Sequence, residues 1–490
     1  MRRIEVVGGT VFGPEDLNPI VQPLEGREVT LQQLTNAANA ITRLYLRDGY
    51  VTSRAVLGEQ EIVDGVVQIQ VIEGSVQEIQ IDGNQRFNAG YIRSRLQLGT
   101  DPLKVGQLEE QLRLLQADPL IEEIRGRLQP GEGVGETVLV VEVEEANPFQ
   151  FGFNFDNYSP PSVGSERTGV SVGYLNLTGN GDSLSGSYNR STTGNSNVWD
   201  VSYRIPVNPM NGSVQLRAVF DDFEASSGLV EGDSQRYEVS YRQPLIRSTR
   251  EELALSFGFS YRDGQTFLGD RPFGFGIGPD PDTGVSRTSV IRVGQDYIRR
   301  DTQGAWALRS QFNIGVGLFD ATDNASPIPD SEFLSWLGQI QRVQRLGKNN
   351  LLIMQTDVQL ANDGLLSSEQ FVIGGGQSLR GYRQNARAGD NGFRFSIEDR
   401  ITLVQDQPAA KLLQLAPFVD MGAIWNDSDN PNNPFLPDQQ FLAGAGVGIL
   451  WEPVDALNIR LDYGIPLVDI SDEGDNLQED GVYFSLRYQF

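Results

Sequence analysis

Cysteine and histidine are both missing from this chain of 490 residues. The first absence excludes disulfides and thiol chemistry. The two together exclude zinc sites and imidazole-based triads, which leaves carboxylate, Lys or Ser/Thr chemistry. A run of about 20 apolar residues is missing too, so no transmembrane helix is encoded. The mean hydropathy of -0.31 is low, but the strands of a membrane barrel spend only half their residues on lipid and escape hydropathy scans. Basic residues are few, 39 against 65 acidic ones, and the net charge of -26 repels phosphates and argues against a nucleic-acid partner. The charge fits solvated loops. At the start, Arg2-Arg3-Ile4-Glu5-Val6 enters a strand pattern at once, without the apolar stretch of a signal peptide. An exported protein requires that peptide, so the start reads as a mature or trimmed terminus.

What the chain has in abundance is period-two alternation. In Leu253, Leu255, Phe257, Phe259 and Tyr261 every second residue is apolar, with Ala254, Ser256, Gly258, Ser260 and Arg262 following them. Trp306, Leu308, Phe312 and Ile314 alternate in the same way with Arg309, Gln311 and Asn313, and Leu457, Ile459, Leu461 and Tyr463 with Asn458, Arg460 and Asp462. Side chains alternate sides along a strand, so each run builds a wall with one oily and one wet surface. From Phe149 onward sixteen strands are expected, beginning near residues 149, 167, 183, 197, 213, 235, 251, 287, 304, 332, 350, 392, 412, 440, 455 and 481. That allots roughly 21 residues to each strand with its connection, which suits membrane strands of about 9 to 11 residues.

The connections alternate in length. Thr178-Gly179-Asn180-Gly181, Pro209-Met210-Asn211-Gly212 and Lys348-Asn349 read as tight turns, whereas Asp270 to Arg287, Asp320 to Glu332 and Asn426 to Gln439 read as long loops. Bacterial outer-membrane barrels share this asymmetry, with turns in the periplasm and loops outside, and an even strand count puts both barrel ends in the periplasm. Phe484, Leu486, Tyr488 and Phe490 fall on one face of the last strand, as expected where a barrel closes and an aromatic belt meets the lipid interface.

The first 147 residues have another texture, and they repeat. Ile4, Val6, Gly8 and Phe12 recur as Ile79, Ile81, Gly83 and Phe87, an offset of 75 residues, which predicts two tandem units. In the first, Thr30 and Gln33 form a capping box before a helix with the apolar face Leu34, Ala37, Ala38, Ile41, Leu44 and Tyr45. Val105, Leu108, Leu112 and Leu115 supply the matching helix of the second. Each unit ends on an alternating strand, Val67-Ile69-Val71 or Leu139-Val141-Val143. The order strand, helices, two strands predicts a small α+β domain, once over residues 1–74 and again over 75–147.

Gly49-Tyr50-Val51-Thr52-Ser53-Arg54-Ala55, then Gln60, Asp64-Gly65 and Glu73-Gly74, resembles the first POTRA (polypeptide-transport-associated) domain of the TpsB family of two-partner secretion transporters. The second unit resembles a POTRA domain more loosely, and residues 148–490 resemble the barrel of the same family. The fold class implied is two α+β POTRA domains followed by a 16-stranded antiparallel transmembrane β-barrel. The C-terminal Phe490, on its strand with Phe484, Leu486 and Tyr488, also resembles the signal read by the barrel assembly machinery.

Between the eleventh and twelfth strands, about residues 362–391, lies Gly374-Gly375-Gly376-Gln377-Ser378-Leu379-Arg380-Gly381-Tyr382. It is too apolar and glycine-rich for a mere surface loop. A phosphate-binding reading fails because the Lys-Ser/Thr of a P-loop and its strand-loop-helix context are missing. Leu379-Arg380-Gly381-Tyr382 is similar to the VRGY/F tetrad that this family carries on loop six, with Leu in place of Val. The resemblance implies that loop six folds into the lumen and that its Arg meets the acid of an F-x-D-x-G motif on strand thirteen, here Phe418-Val419-Asp420-Met421-Gly422. Parity along that strand agrees: Leu415, Val419 and Met421 suit lipid, which turns Phe418, Asp420 and Gly422 inward. Glu398 and Arg400, of lumen parity on strand twelve, compete as partners, with Asp420 preferred. Gly381 and Gly422 are expected to let backbones approach closely.

These readings point to an outer-membrane pore, not an enzyme, without cofactor, metal or catalytic residue. As the resemblance implies, it recognises an unfolded exoprotein through periplasmic POTRA domains and secretes it without ATP. Its partners are that exoprotein, outer-membrane lipid and, during biogenesis, the barrel assembly machinery; it is expected to act as a monomer. Strand addition at a POTRA edge suits substrates of varied sequence. The alternative is an insertase of the barrel-assembly type, whose members usually carry more POTRA domains. A passive porin has no use for two docking domains. TpsB members often begin with a helix that sits in the pore, and no counterpart precedes the first POTRA pattern in this sequence.

Overall fold

The helix Leu31–Arg47 starts where a reciprocal cap fixes it: the Thr30 side chain accepts from the Gln33 amide at 3.3 Å and the Gln33 side chain from the Thr30 amide at 2.9 Å. In the computed structural model, which describes residues 1–225, 228–407, 410–472 and 474–490, the chain forms two units. One comprises Met1–Asn147 with Thr178–Gly181, the other Pro148–Leu177 with Asp182–Phe490.

The first unit holds two copies of one module. In the first copy Val66–Ile72 is the central strand, parallel to Arg3–Val7 and antiparallel to Arg54–Val56. In the second, Glu136–Glu145 is central, parallel to Ser75–Asp82 and antiparallel to Ile121–Pro130. Leu34, Ala37, Ala38, Ile41 and Tyr45 form one stripe of the helix, packed on Ile4, Val67, Ile69 and Val71. Each large side chain so buried stabilises the module by about 1.5 to 3 kcal/mol. Leu44, expected on that stripe, is only half-buried. Two further helices, Pro14–Val21 and Ala89–Leu96, are too short for periodicity to reveal.

The residues of the POTRA-like pattern are hydrogen-bonding devices. Gln60 clasps the main chain of Gln68, accepting from its amide at 2.7 Å and donating to its carbonyl at 2.8 Å, and the Ser53 hydroxyl accepts from the Gly74 amide at 2.9 Å. Glu73 gathers the Thr10 amide and hydroxyl, the Val11 amide and the Tyr45 hydroxyl at 2.6 to 2.9 Å. Burial pushes the Glu73 carboxyl up, but these donors outweigh it and hold the group below its ordinary value. Glu145 repeats the device in the second module, accepting from the amides of Gln85, Arg86 and Phe87.

The second unit is a closed barrel in which every strand pairs with its sequence neighbour. Sixteen spans make the wall, with the two-residue strand Arg271–Pro272 as an extra pairing on the seventh. The expected starts hold, the largest discrepancy being the sixth strand, which begins at Val230 instead of 235. Lengths differ more: the sixth (Val230–Arg247) and seventh (Glu251–Leu268) run 18 residues each, beyond the bilayer requirement. Along the seventh, Leu255 and Phe257 are exposed on the outer face while Ala254 and Ser260 are buried inward. An exposed apolar outer face is what lipid requires, and closure leaves no unpaired edge within it.

The last strand (Val482–Gln489) pairs antiparallel with the first (Phe149–Asp156) over five residue pairs, from Ser485–Asp156 to Gln489–Gly152. Beyond them Phe490 and Phe151 exchange main-chain hydrogen bonds of 2.8 and 3.0 Å. The Phe484 and Phe155 rings pack at a tilt of 49° with centroids 5.2 Å apart. Above the seam the Asn157 side chain donates to the Val482 carbonyl and accepts from the Phe484 amide, both at 2.9 Å.

Candidate functional site

Loop six leaves the eleventh strand (Asn350–Ala361), turns back as the short hairpin Phe371–Ile373 against Arg387–Gly389, and enters the twelfth strand (Asn391–Gln407). At its apex the Gly375 amide donates to the carbonyls of Leu379 at 3.0 Å and Tyr382 at 3.1 Å. This tight loop needs the left-handed φ of +96° at Gly375. Phe371, Ile373, Leu379, Tyr382 and Ala386 form an apolar core with Ile424 and Leu442 of the wall. The loop is therefore packed, not draped.

Packing aims Arg380 at the thirteenth strand (Ala410–Trp425). Its Nε and Nη2 donate to Asp420 Oδ2 and Oδ1 at 2.7 and 2.9 Å, and its amide donates to Oδ2 at 3.1 Å. The guanidinium carbon lies 3.3 Å from the centroid of the Phe418 ring, so two of the three inward residues hold it, Phe418 as a platform and Asp420 as a two-oxygen acceptor. Arg380 is 5% exposed and Asp420 0%. Glu398 is no competitor but a third partner, accepting from Arg380 Nη1 at 2.7 Å. Arg400 turns to Glu398 as well, at 2.8 Å.

The fifteenth strand (Leu457–Pro466) completes the cluster. Arg460 donates to Glu398 and Asp462 at 2.6 Å each, and Asp462 lies 3.6 Å from Arg380. Three guanidiniums and three carboxylates thus balance in one network, buried at Arg380 and the acids and half-buried at Arg400 and Arg460. None of the cations can give up a proton, so the cluster holds position and does not transfer protons. A cavity of about 530 Å³ opens beside it, lined among others by Gln377, Arg394 and Arg400.

The space that admits the loop is not at Gly422, where a Cβ would meet the carbonyl of neighbouring Phe393 at 2.7 Å. It is at Gly444 of the fourteenth strand (Phe441–Val454) and Gly464 of the fifteenth, where a Cβ would overlap the Arg380 carbonyl and the Gly381 amide respectively. Gly381 sits against Pro466, in agreement with its expected close approach. Its amide donates to the Tyr483 hydroxyl at 2.8 Å, and that hydroxyl donates to the Tyr382 carbonyl at 2.7 Å. The Tyr382 hydroxyl reaches the carbonyls of Ala443 and Val468 at 2.8 Å. Nearer the outer rim, Arg387 and Arg383 grip Asp472 at 2.8 and 2.7 Å. Arg387, reinforced by Arg383, pulls the Asp472 carboxyl down to about 2. Tyr483, Gly444, Gly464 and Asp472 escaped the sequence reading; only the lumen parity of Arg460 and Asp462 was there to be followed. Phe484, Leu486, Tyr488 and Phe490 lie at the closing strand, away from the loop.

Residues 135–450 match the family described as haemolysin secretion/activation protein ShlB/FhaC/HecB, and residues 1–74 match the ShlB-type POTRA domain. The outer membrane transporter CdiB of Dickeya dadantii (strain 3937) is 24% identical over 413 residues, 81% of this chain and 71% of that protein. The heme/hemopexin transporter protein HuxB of Haemophilus influenzae (strain 86-028NP) is 22% identical over 476 residues, 95% of this chain and 82% of that protein. The structure of CdiB from Escherichia coli superposes with a TM-score of 0.79 at 22% identity, covering 100% of this chain and 90% of that one, which shows a shared fold.

Proposed function

Since the chain belongs to the ShlB/FhaC/HecB family of haemolysin secretion/activation proteins, we propose that this outer-membrane transporter binds an unfolded exoprotein through its periplasmic POTRA domains and passes it through the barrel lumen. The observation that supports the reading is the apex of loop six, held against the inner wall of the barrel by a charge-balanced network, as a plug that has to be released would be. Arg380 with Asp420 and Phe418 is the lock of that plug, and Leu379, Gly381 and Tyr382 fix its pose. Export runs without ATP: no nucleotide motif occurs in the sequence, and folding outside draws the chain forward. Among the free sheet edges, Ile121–Pro130 is ten residues long and open to strand addition.

Co-expression with candidate exoproteins, scoring the extracellular fraction, tests the reading. Export that depends on this protein and is lost on deletion of residues 75–147 supports it. An exoprotein held in the periplasm, in cells whose other barrels fail to assemble without this protein, would favour the insertase and overturn it.

A further inference from the structure

Loop six touches a second stretch of wall, far from Arg380. On its inbound limb Leu365 packs with Val290 and Phe333. Four residues on, Glu369 accepts from the Thr288 hydroxyl at 3.1 Å and lies 3.8 Å from Arg292 Nη2, both on the eighth strand (Val285–Asp301). Arg262 of the seventh strand lies directly across the ladder from Thr288, and Arg236 of the sixth directly across from Arg262, so the three arginines share the face on which Glu369 sits. Arg292 also hydrogen-bonds Ser260, and Arg262 donates to Ser234 at 3.2 Å.

The wall's own acids serve Arg292 and Arg236 poorly. Asp200 already holds Arg217 at 2.6 Å, and Glu238 lies 3.5 Å from Arg236 and 3.9 Å from Arg292. Arg236 Nε is buried without a hydrogen bond. The wall is therefore completed by a carboxylate that arrives on a loop. Guanidinium forks are suited to carboxylates, which they hold bidentately.

We propose that Arg236, Arg262 and Arg292 form a carboxylate-binding site on the lumen wall, filled by Glu369 while loop six is folded in and open to acidic side chains of a polypeptide in transit once Glu369 leaves. Loop six thereby carries a cation to an acidic wall and an anion to a basic one. Withdrawal uncovers both charges, and a site that exchanges one carboxylate for the next lets a chain bind without being trapped. The polypeptide in this assignment rests on the export reading; the carboxylate site itself does not.

The test is planar-bilayer recording on the full chain, with hexaglutamate as probe and hexaglutamine as neutral control. Glu369→Gln is expected to shift the reversal potential in a KCl gradient toward anions and to lower the hexaglutamate concentration that halves the current by about tenfold. Adding Arg262→Gln and Arg292→Gln to that variant should abolish both effects. Equal block by the two peptides, or block in Glu369→Gln no different from the parent, would overturn the site. Should Glu369→Gln fail to assemble, Glu369→Asp decides: its shorter carboxylate keeps the charge but reaches Arg292 less well, so the half-blocking hexaglutamate concentration should fall by about threefold, and unaltered block rejects the proposal. Charge-selective block in a protein that exports nothing would leave the site standing and remove the export reading alone.

Discussion

Removing Arg380 should release the apex of loop six, and the structure says where the cost falls. Glu398 keeps Arg460 at 2.6 Å and Arg400 at 2.8 Å. Asp420 loses both guanidinium contacts and retains the Ser396 hydroxyl at 2.6 Å and the amide at position 380. Breaking a buried pair from one side costs about 3 to 5 kcal/mol, which at about 1.4 kcal/mol per decade corresponds to a docked-to-released ratio lower by roughly two to three and a half orders of magnitude. Asp420→Ala should cost less, about 1 to 3 kcal/mol, because Arg380 keeps Glu398 at 2.7 Å and its place on the Phe418 ring. The assay uses the absence of cysteine. The Ser378 hydroxyl is buried at the apex without a hydrogen-bond partner, so Ser378→Cys installs a single shielded thiol at little cost. Maleimide labelling in lipid vesicles then reports release. Labelling should accelerate by at least about a hundredfold in Arg380→Ala, and by less in Asp420→Ala. Rates within about threefold of the parent in both, with heat-modifiable migration unchanged, would refute the reasoning.

Gly444→Ala puts a methyl group into the Arg380 carbonyl without altering charge; the same thiol should label faster there, and parental labelling would show that the backbone approach is dispensable. In the first module the folded-state value of Glu73 is below its ordinary 4.5, so its contribution is complete above pH 4.5 and is lost as the pH falls through the folded value. After correction for intrinsic rates, amide exchange at Thr10 and Val11 should therefore rise at acid pH, and Glu73→Gln, at a cost on the order of 1 to 3 kcal/mol, should make that protection independent of pH. Across the seam, Asn154 and Arg487 are paired; the double substitution Asn154→Cys, Arg487→Cys, oxidised, should still export through the lumen, and export restored only by reductant would mean that the seam has to part.

The barrel was legible because its signal is local. A lipid-facing strand declares itself within ten residues through period two, and turn chemistry marks the ends, so starts were placed well even where lengths were not. Strands six and seven project past the bilayer, and alternation does not stop where lipid does. The same parity sent Asp420 inward. The rest of the socket is not local: Gly444, Gly464 and Tyr483 lie far along the chain from Arg380 and acquire meaning only when closure sets strands fourteen to sixteen beside the loop. A glycine in a strand gives no hint of which backbone will approach it. The capping roles of Glu73, which the POTRA-like pattern contains, and of Glu145 were hidden for a related reason: an acid at a strand end reads as solvated until the amides it caps, about sixty residues away, fold against it.

Loop six is held by two kinds of contact, and they differ in what release costs. One is apolar: Phe371, Ile373, Leu379 and Tyr382 with Ile424 and Leu442, and exposing such groups forfeits about 25 cal/mol for each Å² returned to water. The other, at the tip, is ionic. Arg380, Asp420 and Glu398 surrender one another on release, but the lumen they enter is polar, and hydration replaces much of what the pairs supplied. A buried ion pair stabilises little against a well-packed apolar substitute, yet it punishes every pose except the right one, because a displaced guanidinium leaves a carboxylate unpaired. An apolar tip would dock more tightly and in more ways. The ionic tip docks in one way and its ion pairs are released at lower cost than apolar burial, which is the combination required of a closure that must open for a chain and then return to the same seat.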